Sequence, residues 1–455
     1  MFARLAAELE RRAAEDRPVR VGLVGAGRFG TTVAAQVGRM RGLRLAAVAD
    51  VRLANAQAAL GAAGWAEDDV QTAAGPGDTR DRVHAGVPVM VEDAAVLAAA
   101  PLDVLVEATG RPEVSARVIP AALESGIHVV NVTVESDVLI GALFRRGADA
   151  AGVVYTLADG DQPGCTKRLY DWAIGLGYRV IAAGRGTRRH AGDRTGTPDE
   201  AFARFDYSAE LVRERRLNPQ MYNSFRDGSK AQIEATAIAN MTGLVPDVRG
   251  LHEPSAALAD LPNLFRQRDE GGILGQEGVV ELANAVGSDG QTLLPGHIAS
   301  GVWAVISSDQ PLLQQDLAFY GLPTSDDGRA AVLSRDYHLC GIEAPWSIVE
   351  AAIGGYPTGT PQPTPVADVI AVAKRDLSPG ERLDGSGGVT VYGQIERAEV
   401  ARAQRLLPLG LAADITTQQP IPQDTALTYD MVSLQDDSEA LRRRREQDAL
   451  WTPAL

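Results

Sequence analysis

One local pattern constrains this chain more than any other: an apolar run that ends in glycines and passes at once into helical spacing. Residues 19–27 read VRVGLVGAG, and RFGTTVAAQVGRM follows without a proline. Such a run predicts strand, tight turn and helix. The alternation then repeats, with LRLAAVAD, VPVMV, LDVLVEATG, IHVVNVT and GVVYTLA as strands. Between them ANAQAALGAAG, EDAAVLAAA, PEVSARVIPAALESG and a stretch near Asp137 to Gly147 read as helices. Strands alternating with helices imply a parallel sheet with right-handed crossovers, and strands without polar alternation imply burial on both faces. The expectation is an α/β fold opening with a doubly wound sheet of six strands. The acidic, Gly/Pro-containing segment from Glu67 to Gly86 reads as an insertion loop.

Gly25-Ala26-Gly27-Arg28-Phe29-Gly30 occupies the first turn of this Rossmann pattern. The first glycine permits the turn, the second lets backbone approach a pyrophosphate, and the third allows close helix packing. The motif alone is weak; Asp50, twenty residues after Gly30 at the end of the second strand, strengthens it, since an acid there bonds ribose hydroxyls. Asp50 suits NAD, whereas Arg52 and Arg44 suit a 2′-phosphate, and NADP(H) is favoured over NAD(H). Ala108, Thr109 and Gly110 end the fourth strand, and Thr133 and Glu135 follow the fifth. All five belong to the carboxyl edge, where ligands bind in such sheets. Thr109 also reads as a helix N-cap.

Composition narrows the function. A net charge of -15 argues against a nucleic-acid or anionic-membrane partner, because phosphate attracts basic surfaces. Two cysteines, Cys165 and Cys340, are too few for a disulfide framework, so a reducing, cytoplasmic setting is expected. The first twenty residues carry charges throughout and read as an amphipathic helix, not a signal peptide. No stretch approaches the ~18 uncharged apolar residues of a membrane span.

Residues 1–158 form the expected dinucleotide-binding domain. From 159 to 356 the pattern shifts to longer helices and sparser strands, a central α+β domain for substrate and oligomerisation. Within it YRVIAAG reads as a strand, RGTRRHAGDRTGTPDE as a polar loop, and GSKAQIEATAIANMTG as a helix stopped by Gly243. YPTGTPQPTP is a linker, residues 366–433 read as a small β-rich module, and 434–455 as a charged tail.

Asp159 and Asp161 in DGDQPG follow the last strand of the first domain and are expected at the crevice between domains. Two carboxylates on such a turn bind hydroxyls, help hold a divalent metal or act as base; equally, the motif serves as a turn that caps the next helix. Gln162 beside them is a substrate-binding candidate. Lys230 opens a helix with Glu234 one i,i+4 step on, suited to proton donation as hydride arrives or to a surface ion pair. The chain has three lysines among 44 basic residues, which raises interest in Lys230. Arg185 and Arg188, with Arg189 and His190, form a basic cluster that suits phosphate or carboxylate, or is a solvated loop. His252, His297 and His338 stand alone and read as structural.

With these segments in hand, the chain resembles homoserine-dehydrogenase-like oxidoreductases that carry a C-terminal SAF domain, and within them the 1-deoxy-D-xylulose 5-phosphate reductoisomerase-like branch. The resemblance rests on VRVGLVGAGRFG, EATG, VVNVTVESDVLIG, LADGDQPG, AAGRGTR, DGSKAQIEATAIANMTGLVPD, YHLCGIEAPWSI and AKRDLSPGERLDG. It implies hydride transfer between a nicotinamide and a carbonyl or alcohol. For the branch it implies isomerisation and NADPH reduction of a phosphorylated sugar, as in making 2-C-methyl-D-erythritol 4-phosphate. Where the family writes lysine, Arg185 stands here, and arginine does not deprotonate at working pH. The resemblance makes residues 366–433 SAF-like. A homo-oligomer, dimer or tetramer, is expected. Two other readings compete: a redox-neutral isomerase or epimerase that retains its NAD(P), and a redox-sensing regulator.

Overall fold

A computed structural model describes residues 2–205, 207–215 and 217–451. The chain divides into two compact units. The first comprises the described residues up to Gly164, then Leu339–Pro363 and those from Asp437 on; the second comprises Cys165–His338 and Thr364–Asp436.

In the first unit, α1 (Phe2–Ala14) precedes β1 (Val19–Val24), α2 (Arg28–Arg39), β2 (Leu43–Ala49), α3 (Leu53–Ala62) and β3 (Gln71–Thr72). Then come α4 (Pro76–His84), β4 (Val89–Val91), β5 (Val104–Glu107), α5 (Pro112–Glu124), β6 (His128–Asn131), α6 (Val134–Ala151) and β7 (Tyr155–Leu157). The strands form one parallel sheet in the order β3-β4-β2-β1-β5-β6-β7. The doubly wound α/β expectation holds, with seven strands rather than six. The extra strand is β3, from the segment expected as a loop; Glu67 to Gly86 contains that edge strand and α4, whose Pro76 takes the first helical turn, where a missing N–H costs nothing. EDAAVLAAA forms a 3-10 helix at Ala94–Ala99 rather than an α-helix.

Val19, Val21, Leu23, Val48, Val104, Val106 and Val130 are buried in one core, joined by Ala344, Ile348 and Val349 from a helix at Ala344–Val349. The tail contains a helix, Glu439–Trp451, packed on α6.

α7 (Gln162–Gly175) leads into β8 (Arg179–Thr187), followed by α8 (Ala209–Arg215), α9 (Pro219–Arg226), α10 (Ser229–Thr242), β9 (Val245–Pro246), β10 (Val279–Asn284), β11 (Val302–Ser307) and β12 (Ala330–Arg335). The second unit's main sheet runs β12-β11-β8-β10-β9; β8, β10 and β9 are parallel and the other two antiparallel. α10 ends at Gly243, which is left-handed at φ 82°, as its sequence predicts. Further on lie β13 (Ala367–Ala373), β14 (Arg382–Asp384), β15 (Val391–Arg397), β16 (Ala413–Thr417) and β17 (Val432–Ser433), in a two-stranded and a three-stranded antiparallel sheet.

α10 is nearly all buried, because the main sheet covers one side and β13 and β15 the other. Its polar residues pair with strand backbone. Ser229 Oγ accepts from the Gly393 amide at 2.9 Å, Gln232 Oε1 from Ile395 at 2.8 Å, and Asn240 Oδ1 from Ala367 at 3.0 Å.

Candidate functional site

The glycine loop joins β1 to α2 as the spacing predicts. Gly25 is left-handed at φ 90°, and a Cβ there would stand 2.7 Å from Ala108 O. A Cβ on Gly30 would stand 2.0 Å from Gly25 O, so the helix can approach its own loop only without one. Gly27 differs: a Cβ would meet nothing within 4 Å. It is the N-cap of α2 and no side chain caps the helix there. Uncapped amides at a helix start, with open space before them, fit a dinucleotide pyrophosphate.

Asp50 lies beside the loop. Its Oδ2 accepts from the Ala26 amide at 2.9 Å, and its Oδ1 from the Arg52 amide at 2.9 Å and Asn55 Nδ2 at 3.1 Å. Arg28, at the start of α2, and Arg52, whose amide reaches Asp50, are both exposed. Arg44 does not join them. It sits at the amino end of β2, six residues or roughly 20 Å of strand from Asp50, and pairs with Asp16 at 3.5 Å.

At the carboxyl edge, the buried Glu107 accepts from the Thr109 amide at 3.0 Å, from the Thr109 hydroxyl and from Ser115 Oγ at 2.9 Å. Burial pushes its carboxyl above the ordinary range. The carboxylate thereby shapes the Ala108-Thr109-Gly110 turn that closes on Gly25. Thr133 is buried, and its Oγ1 accepts from the Gly110 amide at 2.9 Å. Glu135 falls in the first turn of α6. Asn131 ties this edge together, donating to Ser136 Oγ at 3.0 Å and Tyr155 Oη at 2.9 Å. Sequence reasoning missed Asn131, although a lone amide inside the apolar VVNVT must find buried partners.

Within the same unit, the DGDQPG turn meets YHLCGIEAPWSI. Asp159 Oδ1 accepts from the Gly160 amide at 2.9 Å and Asp161 Oδ1 from the Gln162 amide at 3.0 Å, so both carboxylates set the turn. The Asp159 amide donates to Ser347 Oγ at 2.8 Å, and Cys340 Sγ lies 3.7 Å from Asp161 Oδ1. Gln162 is buried. Gly341 packs against α2, where a Cβ would stand 2.9 Å from Thr32 Cβ and 3.3 Å from Phe29 O. The segment around Gly341, which meets the DGDQPG turn, thus reaches the helix that opens with the glycine loop.

In the second unit the structure joins three further candidates. Glu234, 3% exposed at its side chain, pairs with Arg185 of β8 through Oε2 and has Lys230 Nζ 3.9 Å from Oε1. Arg188 is exposed at the end of β8. His252, expected to stand alone, instead lies between Glu281 and Asp247. Among the described residues, no group of three or more His, Cys, Asp or Glu side chains is arranged to hold a metal ion.

A parallel α/β unit in which the helix after the first strand opens on an uncapped glycine loop, with an acid at the end of the next strand, defines a dinucleotide-dependent enzyme. Two family models agree. The NAD binding domain of homoserine dehydrogenase matches residues 25–139, and the catalytic domain of oxidoreductase DRL matches residues 160–344. The chain is an NAD(P)-dependent oxidoreductase. No curated protein sequence matches it. Solved structures with some likeness include scyllo-inositol dehydrogenase from Lactobacillus casei with NAD(H) and scyllo-inositol, 15% identical, covering 64% of this chain and 73% of that one at a TM-score of 0.32. Another is 1-deoxy-D-xylulose 5-phosphate reductoisomerase from Zymomonas mobilis with NADPH, 17% identical over 48% of this chain and 57% of that one, TM-score 0.32. A DOX-P reductoisomerase with magnesium is 14% identical over 50% and 58%, TM-score 0.33.

Proposed function

We propose that the enzyme moves a hydride between NADP(H) and a small polar hydroxy-carbonyl substrate, with Lys230 passing the proton to or from the reacting oxygen. The observation that carries this reading is Glu234, a buried carboxylate facing two cations, Arg185 and Lys230. The buried carboxylate gathers a guanidinium and an ammonium at one place, and cations held so favour an oxygen gaining negative charge. The nicotinamide, when bound, supplies or accepts the hydride. Glu234 fixes the Lys230 ammonium one helical turn away, and Lys230 is the member of the pair of cations able to give up a proton, since arginine does not. Arg28 at the start of the glycine-loop helix and Arg52 next to Asp50, both exposed, favour NADP(H). Asp159 and Asp161 each accept a backbone amide of their own turn.

The test is NADPH oxidation, followed by absorbance, over a panel of hydroxy-aldehydes and polyol or ketose phosphates that includes 1-deoxy-D-xylulose 5-phosphate. Lys230→Ala is expected to lower turnover by roughly a hundredfold and leave NADP+ affinity unchanged. Turnover that survives Lys230→Ala, or substrate conversion with no net NADPH oxidation, overturns this reading.

A further inference from the structure

The segment after β9 holds an unusual backbone. Leu251 and Glu253 are both left-handed, at φ 64° and 45°. For side chains that branch beyond Cβ this costs roughly 1 kcal/mol or more each, and such residues persist where their surroundings hold them. Leu251 is buried in the core beneath α10. His252, between the two, has Nδ1 2.7 Å from Glu281 Oε1, and its amide donates to Oε2 of the same carboxylate at 3.2 Å. Glu281 is fully buried on β10. His252 Nε2 lies 3.6 Å from Asp247 Oδ2, and Arg268 Nη2 lies 3.9 Å from that oxygen. The charged groups around the imidazole are therefore Glu281 from β10, Asp247 from the loop after β9, and Arg268 from the turn at Arg268–Glu270.

Glu253 is held on a different set of partners. Its Oε1 accepts from the Thr187 hydroxyl at 2.8 Å, and its Oε2 from Arg189 Nε at 2.9 Å and Arg189 Nη2. Glu253 engages Nε and Nη2 but not Nη1 of Arg189, and Arg189 Cδ lies 3.7 Å from where a Cβ on Gly228 would stand, two residues before Lys230. Thr187 and Asn284 end the parallel strands β8 and β10, and Asn284 Oδ1 accepts from the Arg189 amide at 3.1 Å.

We propose that Glu253 is a positioning residue for Arg189, that His252 latches the strained turn carrying it, and that the remaining edge of the Arg189 guanidinium meets an anionic group of the substrate. This rests on the substrate reading above and moves anion recognition from Arg185, which Glu234 engages, to Arg189. A guanidinium held along one edge by a carboxylate offers its other donors in a fixed plane, at less entropy cost than a free side chain.

The test uses the full chain saturated with NADP+, so that the glycine loop is occupied, and calorimetry with inorganic sulfate, whose charge is constant across the pH range. Wild-type protein is expected to bind sulfate. Glu253→Gln is expected to weaken that binding by about tenfold while NADP+ affinity, which also reports folding, stays unchanged. The Glu281 carboxylate raises the His252 pKa above its ordinary 6.5. The latch is therefore complete below 6.5 and loosens as pH rises through the raised value. Wild-type sulfate affinity should fall across that interval, and His252→Gln should be weak and flat. No sulfate binding by the wild type, or equal binding by Glu253→Gln, overturns the proposal. Glu253-dependent sulfate binding by an enzyme that reduces no carbonyl in the panel sinks only the substrate reading.

Discussion

Gly27 and Gly30 sit three residues apart in one loop, yet alanine at each position tests a different physical claim. At Gly30 the new methyl would lie 2.0 Å from a carbonyl oxygen, so Gly30→Ala is expected to cost ~1–3 kcal/mol of stability. At Gly27 the methyl meets no protein atom within 4 Å, so stability should stay within ~0.5 kcal/mol. The same methyl occupies the space before the α2 amides, and NADP+ affinity should fall about tenfold or more. Thermal melts and calorimetry on the two variants separate the effects. A Gly27→Ala protein that binds NADP+ normally refutes the pyrophosphate site. Asp137 supplies a second residue-scale prediction. It is buried in α6, its Oδ1 accepts from Tyr155 Oη at 2.8 Å, and burial pushes its pKa from 3.8 up to about 7. The folded state holds this proton more tightly than the unfolded chain. Its contribution is fully present below pH 3.8 and is lost as pH rises through about 7. Asp137→Asn should therefore melt above the wild type at pH 8, and the difference should shrink at pH 5.

Among the elements, α6 depends on the tail helix. Ile140 interrupts it with φ -143°, which frees backbone groups on either side of the break. Gln447 of Glu439–Trp451 fills the gap: its Nε2 donates to Leu139 O at 3.0 Å and its Oε1 accepts from the Leu143 amide at 3.2 Å. Arg444 Nη1 reaches the same Leu139 carbonyl at 3.3 Å. Gln447→Ala would leave the part-buried Leu143 amide without its partner and the buried Leu139 carbonyl with Arg444 alone, and is expected to cost ~1–3 kcal/mol in chemical denaturation. An unchanged midpoint would show that water replaces the amide. In sequence the tail reads only as a charged segment; its role is not legible, because a broken helix 308 residues away leaves no mark on the tail's own spacing. α10 teaches the same lesson. Its limits follow from Gly228 and Gly243, but nothing in its own spacing shows what Ser229, Gln232 and Asn240 bind, because β13 and β15 supply those backbone groups.

For the molecule as a whole, continuity along the chain and continuity in the core differ. The parallel sheet's core includes Ala344, Ile348 and Val349, so a fragment ending at Gly164 lacks part of its own interior. Such a fragment is expected to melt well below the full chain and to expose apolar surface to a dye, whereas one that melts like the full chain would show the later segments to be dispensable. Sequence by itself determined the strand and helix alternation, the glycine loop with Asp50, and the helix carrying Lys230 and Glu234. Each follows from steric and periodic rules acting over tens of residues or fewer. Only the tertiary structure decided that Glu234 faces Arg185 from 49 positions away, that His252 rests on Glu281 across 29, and that Gly341 closes on α2. Those pairings depend on which strands lie side by side, and a buried charge is stabilised by whatever partner the packing brings, at no preferred spacing along the chain.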